Sequence, residues 1–306
     1  MTATEDSYDV VVVGGGPTGS AVGVFAARYG LDVVVFDRGK SSLRRCGHLE
    51  NYLGFPGGID IQTFYELMHD HVEKAGCELV SDLVESVELV EEGEDGFVVE
   101  TQDGRRVTTD RVVAATRYGG EYLSSLDDGS MFKTYEYGGD EYEKFDRSYA
   151  EDDGTTQIDG LYVAAPAEAA DRQTLMAAGR GARVGITLLE DVREERGYPE
   201  TIASQYDWIR REAGRTGEWS DRDRWREWFA EQVPDDYDLD EDGRTELRER
   251  EIDRRFDAYL PDEEIERRRR QGHETLLEHI DDELILDAAR EIRDERGAEG
   301  SDGRAE

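Results

Sequence analysis

Lysine is almost missing from this chain, cysteine and proline are scarce, and long apolar runs are absent. Lys40, Lys74, Lys133 and Lys144 are the only lysines among 37 basic residues, which face 74 acids for a net charge of −37. Such a surface repels polyphosphates and anionic lipid, so nucleic acid and membrane are excluded as partners. The two cysteines, Cys46 and Cys77, form no C-x-x-C and no metal-ligand cluster. No stretch approaches the ~20 apolar residues of a membrane span. The acidic start MTATEDSYDV does not read as a signal peptide, which points to the cytoplasm.

What is present is enough for a packed core beneath a densely charged surface. The chain has 306 residues, 37% hydrophobic and 36% charged, which suits one large domain with an appendage or two modest ones. Acidic residues punctuate well-patterned segments, so disorder does not explain them. Carboxylates keep a surface hydrated at high salt, where the Debye length falls to ~3 Å at 1 M and self-repulsion is screened. Scarce lysine with abundant Asp and Glu resembles the cytoplasmic proteins of halophilic archaea.

Residues 8–13 form an apolar β-branched run, expected to be a buried parallel strand. Pro17 suits a first helical turn, and a helix is expected over 17–29, ended by Gly30. Residues 31–37 repeat the buried-strand pattern. A second helix is expected over 61–75, then strands at 78–80, 84–90, 97–101, 106–108 and 111–116, with Asp103-Gly104 as a hairpin turn. Residues 119–156 are polar and weakly patterned. A strand-then-helix pattern returns over 158–189, and arginine- and glutamate-rich helices follow, punctuated by Pro199, Pro234 and Pro261.

Gly14-Gly15-Gly16-Pro17-Thr18-Gly19 fits G-x-G-x-x-G between the first strand and the first helix. The glycines allow a tight turn, close approach of a pyrophosphate and close strand–helix packing. The helix start offers free N–H groups and a positive dipole end. Asp37 ends the second strand, where an acid can accept hydrogen bonds from ribose hydroxyls. Strand, glycines, helix, strand and terminal acid in that order predict a dinucleotide site. They do not by themselves separate NAD from FAD.

At several points in register the chain resembles the low-molecular-weight thioredoxin reductases, FAD-dependent pyridine nucleotide-disulfide oxidoreductases. Glu50-Asn51-Tyr52-Leu53-Gly54 resembles their E-N-[YFW]-P-G segment beside the flavin. Residues 61–90, with Glu78, Asp82 and Val84, resemble the next helix and strand, and 113–116 resemble the strand ending in A-T-G. Gly160-Leu161-Tyr162-Val163-Ala164-Ala165, Arg172-Gln173 and residues 177–182 resemble the G-[IVL]-F-A-A-G-D segment, the Arg-Gln helix start and the A-A-G-x-G-A packing stretch. The resemblance covers 8–117 and 158–189. It implies an α/β, doubly wound, parallel-sheet Rossmann-like FAD domain with a small β-meander, built from 1–117 and 158–192. A charged α-helical region with a disordered tail would occupy 193–306. The cofactor-binding residues it implies are Gly14, Gly16, Pro17, Thr18, Gly19, Asp37, Arg38, Asn51, Val84, Thr116, Arg172 and Gln173. In the family the Arg-Gln helix points its N-terminus at the flavin ring, where a positive dipole end stabilises negative charge.

Three departures qualify the function. About 40 residues separate Thr116 from Ile158, against the ~100 of a nucleotide-binding domain, so 118–157 reads as a short insert in place of the family's NADPH domain. The C-x-x-C which that domain carries is missing too. Pro166-Ala167 stands where the family has Gly-Asp, and Arg117 replaces the glycine of A-T-G, with Glu168 or Arg117 as candidates to compensate. Thioredoxin reduction by the usual route is therefore not expected.

Cys46, in the loop before Glu50-Asn51 and near His48, is the candidate catalytic thiol, weighed against an ordinary loop cysteine. Cys77 reads as core. Tyrosines 122, 135, 137, 142 and 149 suit a cap over the flavin, a subunit contact or a solvated insert. Trp208, Ile209, Trp219, Trp225, Trp228 and Phe229 anchor the helical region, and stripes at 247–260 and 276–285 read as helix core or a partner-binding face. Asp238, Asp240, Asp242, Gly243 and Glu249 match D-x-D-x-D-G-x5-E, but Arg244, Thr245 and Pro234 break the calcium-loop pattern, and no metal site is assigned.

The leading expectation is an FAD-dependent oxidoreductase exchanging electrons with a small-molecule or protein redox partner that docks on the C-terminal helices. A homodimer is compatible with the same features. The alternatives are a non-catalytic flavin- or nucleotide-binding sensor or scaffold, and an NAD-binding protein using the first motif alone.

Overall fold

The computed structural model describes residues 6–39, 41–90, 95–117, 119–127, 129–138, 140–146, 148–165, 172–205, 211–212, 217–234 and 237–302. Pro166, Ala167, Glu168, Trp208 and Ile209 lie outside them. Packing divides the chain into two units, residues 1–204 and 205–306.

The first unit is the expected α/β domain. Its strands are β1 (Asp6–Val13), β2 (Val33–Phe36), β3 (His48–Leu49), β4 (Ile59–Asp60), β5 (Glu78–Val80), β6 (Val84–Leu89), β7 (Phe97–Thr101), β8 (Arg106–Ala114), β9 (Phe132–Tyr137), β10 (Asp140–Phe145) and β11 (Leu161–Val163). Its helices are α1 (Pro17–Arg28), α2 (Ile61–Lys74), α3 (Thr174–Glu195) and α4 (Glu200–Ala203). The main sheet runs β5-β2-β1-β8-β7-β6, with β11 also on β8. Strands β5, β2, β1, β8 and β11 are parallel, and β8-β7-β6 form an antiparallel meander. Val10, Val11 and Val12 in β1 and Val33, Val34 and Val35 in β2 are wholly buried, as continuous apolar runs in a parallel sheet covered on both faces must be.

Helix α1 packs side by side with α3, which itself reaches the sheet through Tyr162–Asp191, and two glycines set the spacing between the helices. A Cβ on Gly181 of α3 would fall 2.0 Å from the Thr18 carbonyl oxygen of α1, and one on Gly185 3.2 Å from Phe25 Cβ. The small-residue stretch therefore brings the start of α3 beside the start of α1. Cys77 is buried, close to Gly23.

Three sequence expectations change. Residues 106–108 and 111–116, expected as separate strands, form the single strand β8. Strand β1 pairs along its whole length, from Asp6↔Val107 to Val13↔Ala114, and this carries the chain straight through the polar Thr109-Asp110-Arg111. On its other edge β8 is shared: the first half takes β7 antiparallel, and the second takes β11 in parallel through Leu161↔Val112 and Val163↔Ala114. Second, the weakly patterned insert is only partly solvated. A 3-10 turn at Glu121–Leu126 buries Tyr122, Leu123 and Leu126, and Met131 joins them in the core formed with Val87, Phe97 and Leu161. Strands β9 and β10 pair antiparallel, with Tyr135 facing Tyr142 across the ladder and both half-exposed. Third, the boundary expected after residue 192 falls inside α3. The chain then turns back so that Tyr198, Ile202 and Ala203 are buried, and the buried Arg193 donates to the Ala203 and Ile202 carbonyls.

The second unit holds β12 (Arg211–Glu212), α5 (Arg222–Gln232), α6 (Glu241–Asp257), β13 (Tyr259–Leu260), α7 (Asp262–Leu277) and α8 (Asp282–Asp302). Trp225, Phe229, Leu247, Ile252 and Leu260 are buried. Glu251, fully buried, accepts from Arg254 and Arg255, and the Arg255 guanidinium lies 4.1 Å from the Trp228 ring centroid. The expected stripe at 276–285 is largely exposed: Leu276, Leu277, Ile280 and Leu284 are 45–64% accessible, and α7 has no buried residue. Helix α8 continues to Asp302, past the point where a tail was expected.

The Asp238–Glu249 stretch is a helix start. Asp240 caps α6 by accepting from the Gly243 N–H, and Glu249 accepts from Arg222, Arg226 and Arg248. Gly243 is helical here, whereas a calcium loop needs a sharp turn at that point.

Candidate functional site

The C-terminal ends of β1, β2 and β8 open into a cavity of about 940 Å³, at the switch point where an open α/β sheet binds its ligand. Its floor is the glycine turn. Gly14 has φ +116°, and a Cβ there would meet the Ala115 carbonyl at 3.0 Å. A Cβ on Gly19 would fall 1.8 Å from the Gly14 carbonyl oxygen, so Gly19 serves strand–helix packing and does not line the cavity. At Gly16 a Cβ would meet only Ser41 Oγ, at 3.7 Å, so the backbone there faces open space. Tight turn, close packing and an open approach are the three conditions a pyrophosphate cradle sets. Helix α1 begins at Pro17 with no side-chain cap on Gly16, and Pro17 and Thr18 line the cavity beside its N-terminus.

One end of the cavity is formed after β2. Asp37, 9% exposed, accepts from the Gly39 N–H at 3.0 Å, and Arg38, Asp82, Leu83 and Val84 stand around it. A Cβ on Gly15 would fall 2.4 Å from Asp37 Cβ, so the acid packs directly on the turn. His69 of α2 was not anticipated. Its Nε2 donates to the Gly15 carbonyl at 2.9 Å and lies 3.6 Å from Asp37 Oδ2. It holds the turn and the acid together. The available signal was spacing, since Ile61, Tyr65 and His69 recur at i, i+4, i+8 on one helix face.

The other end is formed by Asn51, Thr116, Arg172 and Gln173. Asn51 reaches it because its neighbours are anchored: Tyr52, Phe55 and Ile59 pack on the buried Leu49, Ile61, Phe64 and Tyr65, with the Tyr52 and Phe64 rings 5.0 Å apart. Asn51 Nδ2 donates to Gln173 Oε1 at 2.9 Å. Gln173 is the N-cap residue of α3, so this bond joins the loop to the helix N-terminus facing the cavity. Thr116 Oγ1 donates to the Gly119 carbonyl and lies 3.1 Å from the Tyr122 hydroxyl, whose pKa burial pushes up. Arg117 Nη1 donates to Ser42 Oγ at 2.7 Å.

Of the twelve cofactor-binding residues that the resemblance implies, all except Gly19 line this one cavity. Cys46 lines it too and is exposed, whereas burial raises the Cys77 thiol to about 12. Tyr65 of α2 is buried, and the Arg44 guanidinium lies 4.5 Å from its ring centroid. Among the described residues no cluster of His, Cys, Asp and Glu could hold a metal ion, and no helix is long and apolar enough to cross a membrane.

Residues 8–123 match the family described as pyridine nucleotide-disulphide oxidoreductase. Over 118 residues the chain is 28% identical to the thioredoxin reductase of Aquifex aeolicus (strain VF5), covering 38% of this chain and 36% of that enzyme. Over 94 residues it is 42% identical to the bifunctional thioredoxin reductase/thioredoxin of Mycobacterium leprae (strain TN), covering 29% and 20%. The match thus spans about a third or less of each relative's length. A thioredoxin reductase structure from Gloeobacter violaceus aligns with a TM-score of 0.50 at 15% identity, over 67% of this chain and 98% of that one, which shows a shared fold.

Proposed function

From the kinship of residues 8–123 with the thioredoxin reductase-like pyridine nucleotide-disulphide oxidoreductases, a family that uses FAD, we propose that this chain is an FAD-dependent oxidoreductase. It binds FAD without a covalent link and exchanges electrons with a small-molecule or protein partner. It does so with no NADPH domain or dithiol of its own between residues 118 and 157.

The observation that carries this reading is convergence. The glycine turn, Asp37 and the N-terminus of α3, which lie far apart in sequence, line a single cavity. Bound there, FAD supplies a ring that accepts or gives two electrons. The chain's residues do the rest. The turn and the first N–H groups of α1 hold the diphosphate. Asp37, fixed by Gly39 and packed on Gly15, accepts the ribose hydroxyls. Asn51 pins Gln173 at the start of α3, whose positive end would stabilise negative charge on a flavin ring held beside it. Cys46 is the thiol positioned to take part in turnover, and Cys46→Ser abolishes it if turnover is thiol-dependent.

The test is the absorption spectrum of protein purified at high salt. A flavin spectrum that bleaches with NAD(P)H or with a dithiol supports the enzyme. Bound flavin without any turnover reduces the protein to a flavin-binding sensor or scaffold. A colourless protein that takes up no added FAD ends the flavin reading.

A further inference from the structure

Arg117 lines the cavity and ties two of its segments together. It follows Thr116 at the exit of β8, and its Nη1 donates to Ser42 Oγ at 2.7 Å, at the start of the 3-10 turn Ser42–Arg45 beyond β2. In the sheet β1 lies between β8 and β2. The loop after β2 reaches back to the glycine turn, where a Cβ on Gly16 would lie 3.7 Å from Ser41 Oγ, so the Arg117–Ser42 contact is made beside Gly14–Gly16 and the start of α1. Arg117, Ser42, Ser41 and the three glycines all line the same cavity.

Charge points the same way. A dinucleotide laid across this switch point places its diphosphate on the glycine turn. The first turn of α1, Pro17 to Ser20, carries no charged side chain, so beyond the helix dipole the countercharge must come from elsewhere in the cavity. The cavity lining as a whole holds Arg38, Arg117 and Arg172 against the carboxylates of Asp37, Glu50, Asp82, Glu85 and Glu121, in a chain of net charge −37. A dianion placed there needs a cation held close by. The planar guanidinium matches a phosphate fork, and its five N–H donors make the Ser42 bond compatible with further ones.

We propose that Arg117 is a diphosphate-binding residue, closing over the cofactor's phosphates opposite the N-terminus of α1 while Ser42 orients its guanidinium. This rests on the dinucleotide reading of the cavity and adds to it a contact that replaces the glycine of the related A-T-G motif.

The experiment uses the full chain, stripped of nucleotide, and three probes: FAD, ADP and adenosine. For Arg117→Gln the expected result is about tenfold to hundredfold weaker binding of FAD and ADP, the size of a lost charge-assisted contact. Adenosine binding is unchanged, and the ADP deficit shrinks as salt rises. Arg117→Lys keeps the charge but loses the fork, so it falls between the two and serves if the glutamine variant does not fold. Ser42→Ala weakens ADP binding by less than Arg117→Gln does. Equal ADP affinity in wild type and both Arg117 variants overturns the assignment and leaves the flavin reading standing. Equal losses for ADP and adenosine also overturn it, because they show distortion of the site. Wild-type protein that binds neither FAD nor ADP removes the dinucleotide reading and this inference with it.

Discussion

The two units of this chain are held together by different chemistry. In residues 6–204 the centre is aliphatic: the valines of β1 and β2 are at or near zero exposure, and Phe97, Leu123, Met131 and Leu161 close the core around the meander. In the second unit a buried carboxylate and a set of arginine–carboxylate contacts join the apolar core of Trp225, Phe229, Leu247 and Ile252. Glu251 is wholly buried between Arg254 and Arg255, Arg255 lies over Trp225 and Trp228, and Glu249 gathers Arg222, Arg226 and Arg248. A strongly acidic chain can thus stabilise a fold by removing apolar area from water or by saturating carboxylates with guanidinium. The second route is exposed to pH and salt in ways the first is not.

All four tryptophans lie beyond residue 204, so their fluorescence follows the helical unit alone, and each unit can be perturbed and read separately. The largest effect is expected from Glu251→Ala, which leaves two arginines around a buried site without their carboxylate. The expected cost is ~3–5 kcal/mol, read as a loss of the tryptophan-monitored unfolding transition at denaturant concentrations wild type withstands. A shift below ~1 kcal/mol would show that the helical unit does not depend on its buried charge. Next comes Leu161→Ala in β11, worth about 3 kcal/mol as a core cavity. It should lower the far-ultraviolet transition of the sheet while the tryptophan transition stays in place. Movement of both together would mean that the units unfold as one.

The smallest effect separates the units by pH. The Cys77 thiol is raised from 9.0 to about 12 by burial. Its contribution is therefore complete below pH 9 and is lost as pH rises through 12, because the unfolded chain gives up the proton first. Glu249 is lowered from 4.5 to about 2, chiefly by its hydrogen bond from Arg226. Its contribution is complete above pH 4.5, is lost as pH falls through 2, and is small because the carboxylate is largely solvated. Alkali should therefore weaken the sheet unit by an amount that Cys77→Ala removes. Acid should reach the tryptophan signal by an amount that Glu249→Gln removes.

The same division decides what could be read in advance. Where a segment's partner is implied by its own pattern, sequence suffices: the valine runs can only be buried strands, and the glycines, Asp37 and Gln173 arrive in one cavity as their order suggests. Where the partner decides, it does not. Thr109-Asp110-Arg111 looks like a break and becomes mid-strand because β1 pairs alongside it. Glu136 and Glu143 disguise a strand pair whose register comes from the cross-strand ladder. His69 looks like one more polar residue on a surface helix until the Gly15 carbonyl is placed beneath it. Leu284 looks like core but is 64% exposed among the described residues.

The shared edge of β8 has one more consequence. The chain leaves the sheet after Ala114 and returns at Leu161 in the adjoining slot, with the Ala164 N–H donating to the Ala114 carbonyl. Exit and re-entry are thus neighbours, so the pairing of β11 with β8 sets no length for what is threaded between them. Doubling such an excursion costs only about 0.6 kcal/mol in closure entropy. The position can take excursions of different length, provided that Gly119, Glu121 and Tyr122 still line the cavity and Leu123 and Met131 still enter the core.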